Sequence, residues 1–518
     1  MTFKAFLSLA IVVLINICLL VQVKIDASFD NIVSSLLIAF ATMATTAYLY
    51  WSDAYSKSPI SSVIVLSLAF TGLFGALVFQ TLYWNPVIKY LYDPVHTFSM
   101  LTFYQMVAVA THFIFISFLG SSSKPITNNY LSIRAVLTKL GLYHIPSVKT
   151  VWCLALIGLL ALFIGKVLPN SIGRAIFNFN FLMWFPFFIL LYIYKFGDTY
   201  ANPRKQLIYV TLFFLVIVFM GIAFNGRGLI VTGLVNLFLV TTIILLNQET
   251  KRSFSFYAKF SCVILLLLAI IKPFSDFSQA MLIARSERGE ITPVQMFQNT
   301  LKIYNSGQVE IENQNKYIEN KVYSNYDEDY IENTILTRFV LTRFHDNAYY
   351  YQDMLTRNGE LAVGTLIRNK IIAIMPQPLV TQLGIDLDKM EVIAKSTTDI
   401  LVHETTGRGL WGLKVPSTFV DLEILFGVYA SVVLAIMLLL FFAITELFTT
   451  IAKQAGFLIS FPFFAIASKY ILFQIPIYSI QGLVSLATRG FIEDVIIFTL
   501  MMYLFSLCFK YYNKHTPV

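Results

Sequence analysis

Long apolar runs separated by short polar breaks dominate the chain, and the pattern predicts a bundle of membrane-crossing helices. Runs of roughly 18 or more mainly apolar residues, the length an α-helix needs to cross about 30 Å of hydrocarbon, fall near residues 5–23, 31–51, 60–83, 97–119, 150–168, 176–195, 206–224, 229–247, 257–275, 422–446, 455–475 and 491–509. That makes about twelve transmembrane helices. One stretch interrupts the pattern. From Asp276 to Val420 the chain is hydrophilic and holds most of the 29 acidic residues. The expected organisation is therefore helices one to nine over residues 1–275, a loop domain over 276–420 and the last three helices over 421–518.

Within the polar stretch, Gln308 to Tyr330 lacks a period and reads as an exposed loop. From Glu332 to Asn358, Ile335, Phe339, Phe344, Ala348, Tyr351 and Leu355 recur at helical spacing, with Gly359 as the stop. On such a helix Arg338, Thr342 and His345 share a face. A second helix over Leu366–Ile374 ends at the Met375-Pro376-Gln377-Pro378 run, and Thr406–Leu413 is a glycine-rich loop. The domain thus reads as mostly helical.

Composition excludes a soluble protein. With 57% hydrophobic, 15% aromatic and only 13% charged residues, and a mean hydropathy of +0.71, much of the apolar surface must face lipid. The net charge of +8 is accounted for by positive loops on one side of the membrane, so it does not call for nucleic acid. Lys124, Arg134, Lys139 and Lys149, then Arg204 and Lys205, then Lys251, Arg252 and Lys259, then Lys510 and Lys514 all fall on alternate connections or the tail. That side is the cytoplasm, which puts both termini inside and the 276–420 domain outside. The first run reads as a retained span rather than a cleaved signal. Cys18, Cys153, Cys262 and Cys508 all lie in apolar runs, where cysteine acts as a small hydrophobe, and the polar stretch has none to ligate a metal.

Few motifs carry chemistry. Asp327-Glu-Asp329 and Asp386-Leu-Asp388 have a metal-binding spacing that is common in polar loops, and there is no phosphate-cradling glycine loop, His-x-x-x-His pair or nucleophile elbow. His345 and His403 are the histidines of the outer domain, whereas His96, His112, His144 and His515 read as structural or interfacial. The stronger signal is a set of arginines placed on the outer side: Arg227, Arg285, Arg343 and Arg489, with Arg338 and Arg408 nearby. Guanidinium forks bind phosphate oxygens bidentately and stay charged, which suits a diphosphate. The bland alternative is a ring of interfacial ion pairs with Asp421, Glu423, Glu493 and Asp494. Lys469 lies within an apolar run, where an ion is functional or paired.

In layout and short motifs the chain resembles the Wzy-type polymerases of lipid-linked oligosaccharide repeat units, which include the O-antigen and enterobacterial common antigen polymerases. Gly226-Arg227-Gly228 looks like that family's arginine turn, and Leu341-Thr342-Arg343 is similar to a segment of the common antigen enzymes. Met375-Pro376-Gln377-Pro378, then Pro416-Ser417-Thr418 running into Gly427, then Thr488-Arg489-Gly490 follow in the family's order, over roughly the C-terminal sixty per cent of the chain. The related ligases have a histidine where Pro416 stands. The resemblance implies an all-α, GT-C-like glycosyltransferase of the bacterial inner membrane, independent of metal and cofactor, that moves a glycan from undecaprenyl pyrophosphate onto a new lipid-linked repeat unit, with membrane lipid and a chain-length regulator as partners. It assigns Arg227, Arg285, Arg343 and Arg489 to the pyrophosphates, with Arg338, His345, Arg408 and Lys469 as further substrate contacts. His403, Glu404 and Asp421 are the candidates for the base. The rival readings are a flippase of the same lipids and a ligase-type transferase.

Overall fold

The computed structural model describes the chain except residues 119–127, 169–170, 197–201, 225, 285–291, 308–325, 334, 408–413, 453–455, 473–479 and 509–518. Nine helices among the described residues are long and apolar enough to cross a membrane. They are α1 (Phe3–Ile25), α2 (Phe29–Trp51), α3 (Pro59–Leu82), α4 (Pro94–Phe118), α5 (Val148–Val167), α6 (Ala175–Ile193), α7 (Pro203–Ala223), α8 (Arg227–Asn247) and a broken span at Thr418–Glu446. Their starts are written in the sequence: Thr2, Ser28, Ser147, Asn202 and Ser417 each accept a hydrogen bond from a first-turn amide.

These nine coincide with nine of the twelve apolar runs. The other three differ. The helix over the ninth run, α9 (Phe254–Ile283), continues well past its apolar part into the polar stretch. Where a span is expected over 455–475, a two-stranded hairpin, β1 (Thr449–Ala452) with β2 (Gly456–Ile459), precedes the shorter apolar helix Phe461–Ile471, so the fold is helical but not purely so. The final helix covers Phe491–Cys508.

In the polar stretch the expected helix from Glu332 is broken. A 3-10 turn covers Leu336–Phe339, and α10 (Thr342–Asp353) begins only after Val340. Arg338 therefore does not share a face with Thr342 and His345. Gly359 is not a stop either: Thr356 caps the next helix, α11 (Arg357–Ile372), by accepting from the Gly359 amide, so this glycine sits in the first turn. Next come α12 (Thr397–Thr406), opened by a Ser396/Asp399 capping box, and α13 (Thr418–Phe426). Gly427, at φ +51, turns the chain from α13 into α14 (Ala430–Glu446), a conformation that favours glycine.

Hydrogen bonds sort the connections onto two faces. On one, Lys4 pairs with Asp53 at 2.7 Å, Asn247 reaches Tyr55 O, Arg252 N donates to Met1 O, and Arg134 donates to Glu446 O. On the other, Gln22 and Asn31 hold the Val87 amide, Gln80 and Tyr330 bridge α3, Val87 and the polar stretch, and Lys89 pairs with Glu332 at 2.7 Å. The polar stretch thus shares a face with the α1–α2 and α3–α4 connections.

Part of that stretch enters the bundle. Near its middle α3 contains a π-turn, Phe70–Phe74, which interrupts the regular helical ladder. Leu341 N donates to Thr71 O at 2.8 Å, and Thr342 Oγ1 donates to Gly72 O at 2.9 Å. Non-helical backbone at this depth is tolerable because it is enclosed by protein. Consequently α10 does not roof the membrane part; it is wedged among α3, α4, α12 and α13, and its residues from Thr342 to Tyr349 are buried.

Candidate functional site

Two places on the loop-bearing face combine open space or accessible polar groups with chemistry. The first is a partly open, strongly apolar groove of about 240 Å³. Ile230, Val231 and Val235 of α8, Phe274, Phe277 and Met281 of α9, and Ile335 and Phe339 form its apolar lining. Arg338 is the charged residue on its wall, half-exposed and 3.1 Å from Glu328, and Gly228 in the first turn of α8 closes one end. Asn236 fixes α8 against the Phe461–Ile471 helix, donating to Ala465 O at 2.6 Å and accepting from Ser468 N at 2.7 Å, so the groove has a braced back wall that includes Ser468.

The second place lies between α10, α13 and α4. Glu423, half-buried on α13, accepts from the Tyr104 hydroxyl at 2.6 Å and from Gln352 Nε2 at 3.3 Å. The Tyr349 hydroxyl points at the same carboxylate without closing a hydrogen bond, and His96, at the start of α4, is close enough to act on its charge. Rings stiffen the surround: Tyr104 stacks on Phe419 at 4.5 Å and His96 meets Tyr349 edge-on at 5.3 Å.

Asp421, two residues before Glu423, faces the other way, since positions i and i+2 of a helix are about 200° apart. It is fully buried, with the Thr397 hydroxyl, the Ile480 amide and the Lys370 ammonium as polar neighbours. Burial pulls the Lys370 ammonium below its ordinary range, while Asp421 and Asp399 oppose that shift. Asp399 in turn pairs with Lys414 at 3.2 Å. This is an internal charge cluster tying α11, α12 and α13 together, and it offers Asp421 no route to a substrate.

The other expected site residues scatter. Arg343 is buried: its Nε donates to Asp327 O at 3.2 Å, its Nη1 lies 3.7 Å from Asp346, and its guanidinium covers Tyr92 at 4.8 Å. Asp346 also accepts from the Tyr92 and Asp93 amides and from Thr97. Burial raises the Asp346 carboxyl, opposed by those donors and by Arg343. His345 is fully buried with Nδ1 2.9 Å from Ser417 Oγ, and desolvation pushes its imidazole down to about 3, so it is neutral. A histidine thus reaches Ser417 in space although Pro416 occupies the neighbouring chain position.

Arg489 pairs with Glu493 at 2.6 Å and Lys469 with Asp494 at 3.2 Å. Those two cations flank one π-turn, Leu486–Gly490, where a Cβ on Gly490 would lie 3.6 Å from Lys469 Nζ. His403 is half-buried and Glu404 exposed on α12. Arg227 opens α8, but its side chain lies outside the described residues, as do Arg285 and Arg408 entirely. Both Asp-x-Asp pairs have backbone uses: Asp388 caps the helix Lys389–Ala394, and Asp327 Oδ1 accepts from Asp329 N. Among the described residues no three His, Cys, Asp or Glu side chains converge as a metal site.

Sequence reasoning counted Glu423 only as one of several interfacial acids. The usable signal is its phase: with Asp421 at i−2 it cannot share the same burial, so one of the two carboxylates faces outward from the helix packing. No family model, curated protein or solved structure matches the chain.

Proposed function

We propose that this chain is a GT-C-like polymerase of lipid-linked oligosaccharide repeat units, working on undecaprenyl-pyrophosphate substrates at the outer face of a bacterial inner membrane. The observation that carries this reading is the groove. An apolar slot between membrane helices, with Arg338 on its wall and the first turn of α8 at its end, matches an amphiphile whose hydrocarbon needs a greasy wall and whose diphosphate needs a cation. Arg227 precedes Gly228 in that turn, so the arginine turn of the resemblance and the groove coincide along the chain.

In this reading the donor glycan leaves its lipid diphosphate, and fixed guanidinium groups neutralise the charge that develops on the departing oxygens. The donor is activated by its own diphosphate, which makes a nucleotide unnecessary.

The test is glycan chain length in cells. R227A, R338A and R489A, each confirmed to reach the membrane, are expected to give short chains or single repeat units exposed outside the membrane, with Lys replacements rescuing poorly because a point charge lacks the planar fork. Normal long chains in all three variants would overturn the proposal. Loss of export with no product outside the membrane would favour a flippase instead.

A further inference from the structure

If the chain polymerises lipid-linked glycans, the reaction needs a group to take the proton of the acceptor hydroxyl, and the geometry points to Glu423 as that catalytic base. The inference rests on the proposed function and deepens it.

The three bases expected from the sequence do not fit the task. Asp421 is fully buried against Lys370, Glu404 is exposed on the outer surface of α12, and His403 lies one residue before it on the same helix. A base must be both held and reachable. Glu423 is held by Tyr104 at 2.6 Å and Gln352 at 3.3 Å, yet stays half-buried rather than enclosed. The Tyr349 hydroxyl, on a side chain only 2% exposed, faces the carboxylate with no partner closed. It is a polar group aimed at the place where a sugar hydroxyl would sit, and stacked rings line the same spot.

The distance to the groove suits an acceptor that carries its lipid at one end and its reactive hydroxyl at the other. Arg338 lies just before α10 and Gln352 near its end, and a helix rises about 1.5 Å per residue, so groove and carboxylate are separated by about 15 Å along α10. A lipid diphosphate anchored at Arg338 therefore presents to Glu423 a hydroxyl several sugars away, not the sugar attached to the diphosphate.

The step balances without any further reactant. The acceptor hydroxyl gives its proton to a Glu423 oxygen while the acceptor oxygen forms a bond to the anomeric carbon of the donor. The bond from that carbon to the diphosphate oxygen breaks, its electron pair leaves with the lipid diphosphate, and Glu423 then returns the proton to water.

The experiment uses the full-length protein in proteoliposomes, with undecaprenyl diphosphate as the binding probe and the lipid extract of cells lacking the gene as the source of repeat units. E423Q is expected to bind undecaprenyl diphosphate like the unmodified protein but to polymerise at least about 100-fold more slowly, the range general-base catalysis covers, and added formate should restore part of the rate to E423A. Y349F, which keeps the ring, is expected to lower kcat with KM unchanged. It supplies the test even if the Glu423 variants fail to accumulate.

An active unmodified protein with E423Q within about threefold of its rate overturns the base assignment alone. So does normal kcat in Y349F should the Glu423 variants fail to accumulate. If the unmodified protein neither polymerises the extract nor binds undecaprenyl diphosphate, the proposed function falls and the base assignment falls with it.

Discussion

Arg343 and Arg489 carry the same side chain but occupy opposite situations. The guanidinium of Arg343 is 8% exposed and its partner Asp346 fully enclosed, whereas Arg489 is 61% exposed beside Glu493. Removing one partner of a buried pair strands the other charge at a cost of about 3–5 kcal/mol, while an exposed pair is worth about 0–1 kcal/mol. R343A should therefore lower the melting temperature of the detergent-solubilised protein markedly and R489A hardly at all, as read by thermal size-exclusion assays. Equal melting of the two variants would contradict this. It follows that R489A is the cleaner probe of phosphate binding, because loss of function in R343A would be mixed with loss of fold.

His345 gives a pH-dependent counterpart. Its folded pKa is depressed, so the unfolded chain takes up a proton near pH 6.5 that the folded chain refuses until about 3. Stability is full above the unfolded value and falls as the pH drops through this window, by about 1.4 kcal/mol per pH unit for one proton. Between pH 6.5 and 5 the loss is about 2 kcal/mol. H345Q should melt with a shallower decline over that interval, and an identical decline would sink the assignment. Neither residue's role was legible in the sequence. An arginine or histidine on a polar segment reads as a ligand because nothing in its neighbours says that Tyr92, Asp327 or Ser417 will enclose it.

Elements were legible to the extent that hydrophobicity alone defines them. The spans at α1 to α8 emerge from the chain because an apolar run of sufficient length has few other stable homes. The periodicity from Glu332 to Leu355 overran its helix because the break at Val340 answers a partner far away in sequence, the π-turn of α3. How helices approach one another also escapes the pattern. Gly158 of α5 sits so close to α6 that an added Cβ would lie 2.2 Å from Met183 N, a backbone atom that cannot step aside. Small residues at such crossings let membrane helices pack backbone to backbone. G158V should therefore reduce the amount of folded protein recovered from membranes severalfold, measured by monodisperse size-exclusion yield. Gly228 has nothing within 4 Å of a Cβ, so G228A provides the control.

For the molecule as a whole, positive loops and hydrogen bonds divide the connections in the same way. Asp53, Arg252 and Glu446 fall on one face, Asn85 and Glu332 on the other. In a cysteine-free background, E332C should react with an impermeant maleimide in intact cells and D53C only after permeabilisation. The reverse pattern would invert the topology. The overall class was readable from composition, but the integration of the polar stretch with the bundle was not, since it is made of contacts such as Tyr92 with Tyr350 and Gln80 with Tyr330 that no local pattern encodes.

The insertion of α10 beside the π-turn of α3 also bears on biogenesis. Thr71 and Gly72 lie in a helix that leaves the ribosome some 270 residues before Leu341 and Thr342 supply their partners. Until then the N-terminal helices must wait in the bilayer with those carbonyls and the Tyr92 and Asp93 amides unanswered by the groups that finally satisfy them. The membrane half is completed from its watery side, by a late-arriving plug, so an N-terminal fragment ending before that plug would be an unfinished bundle rather than an independent unit.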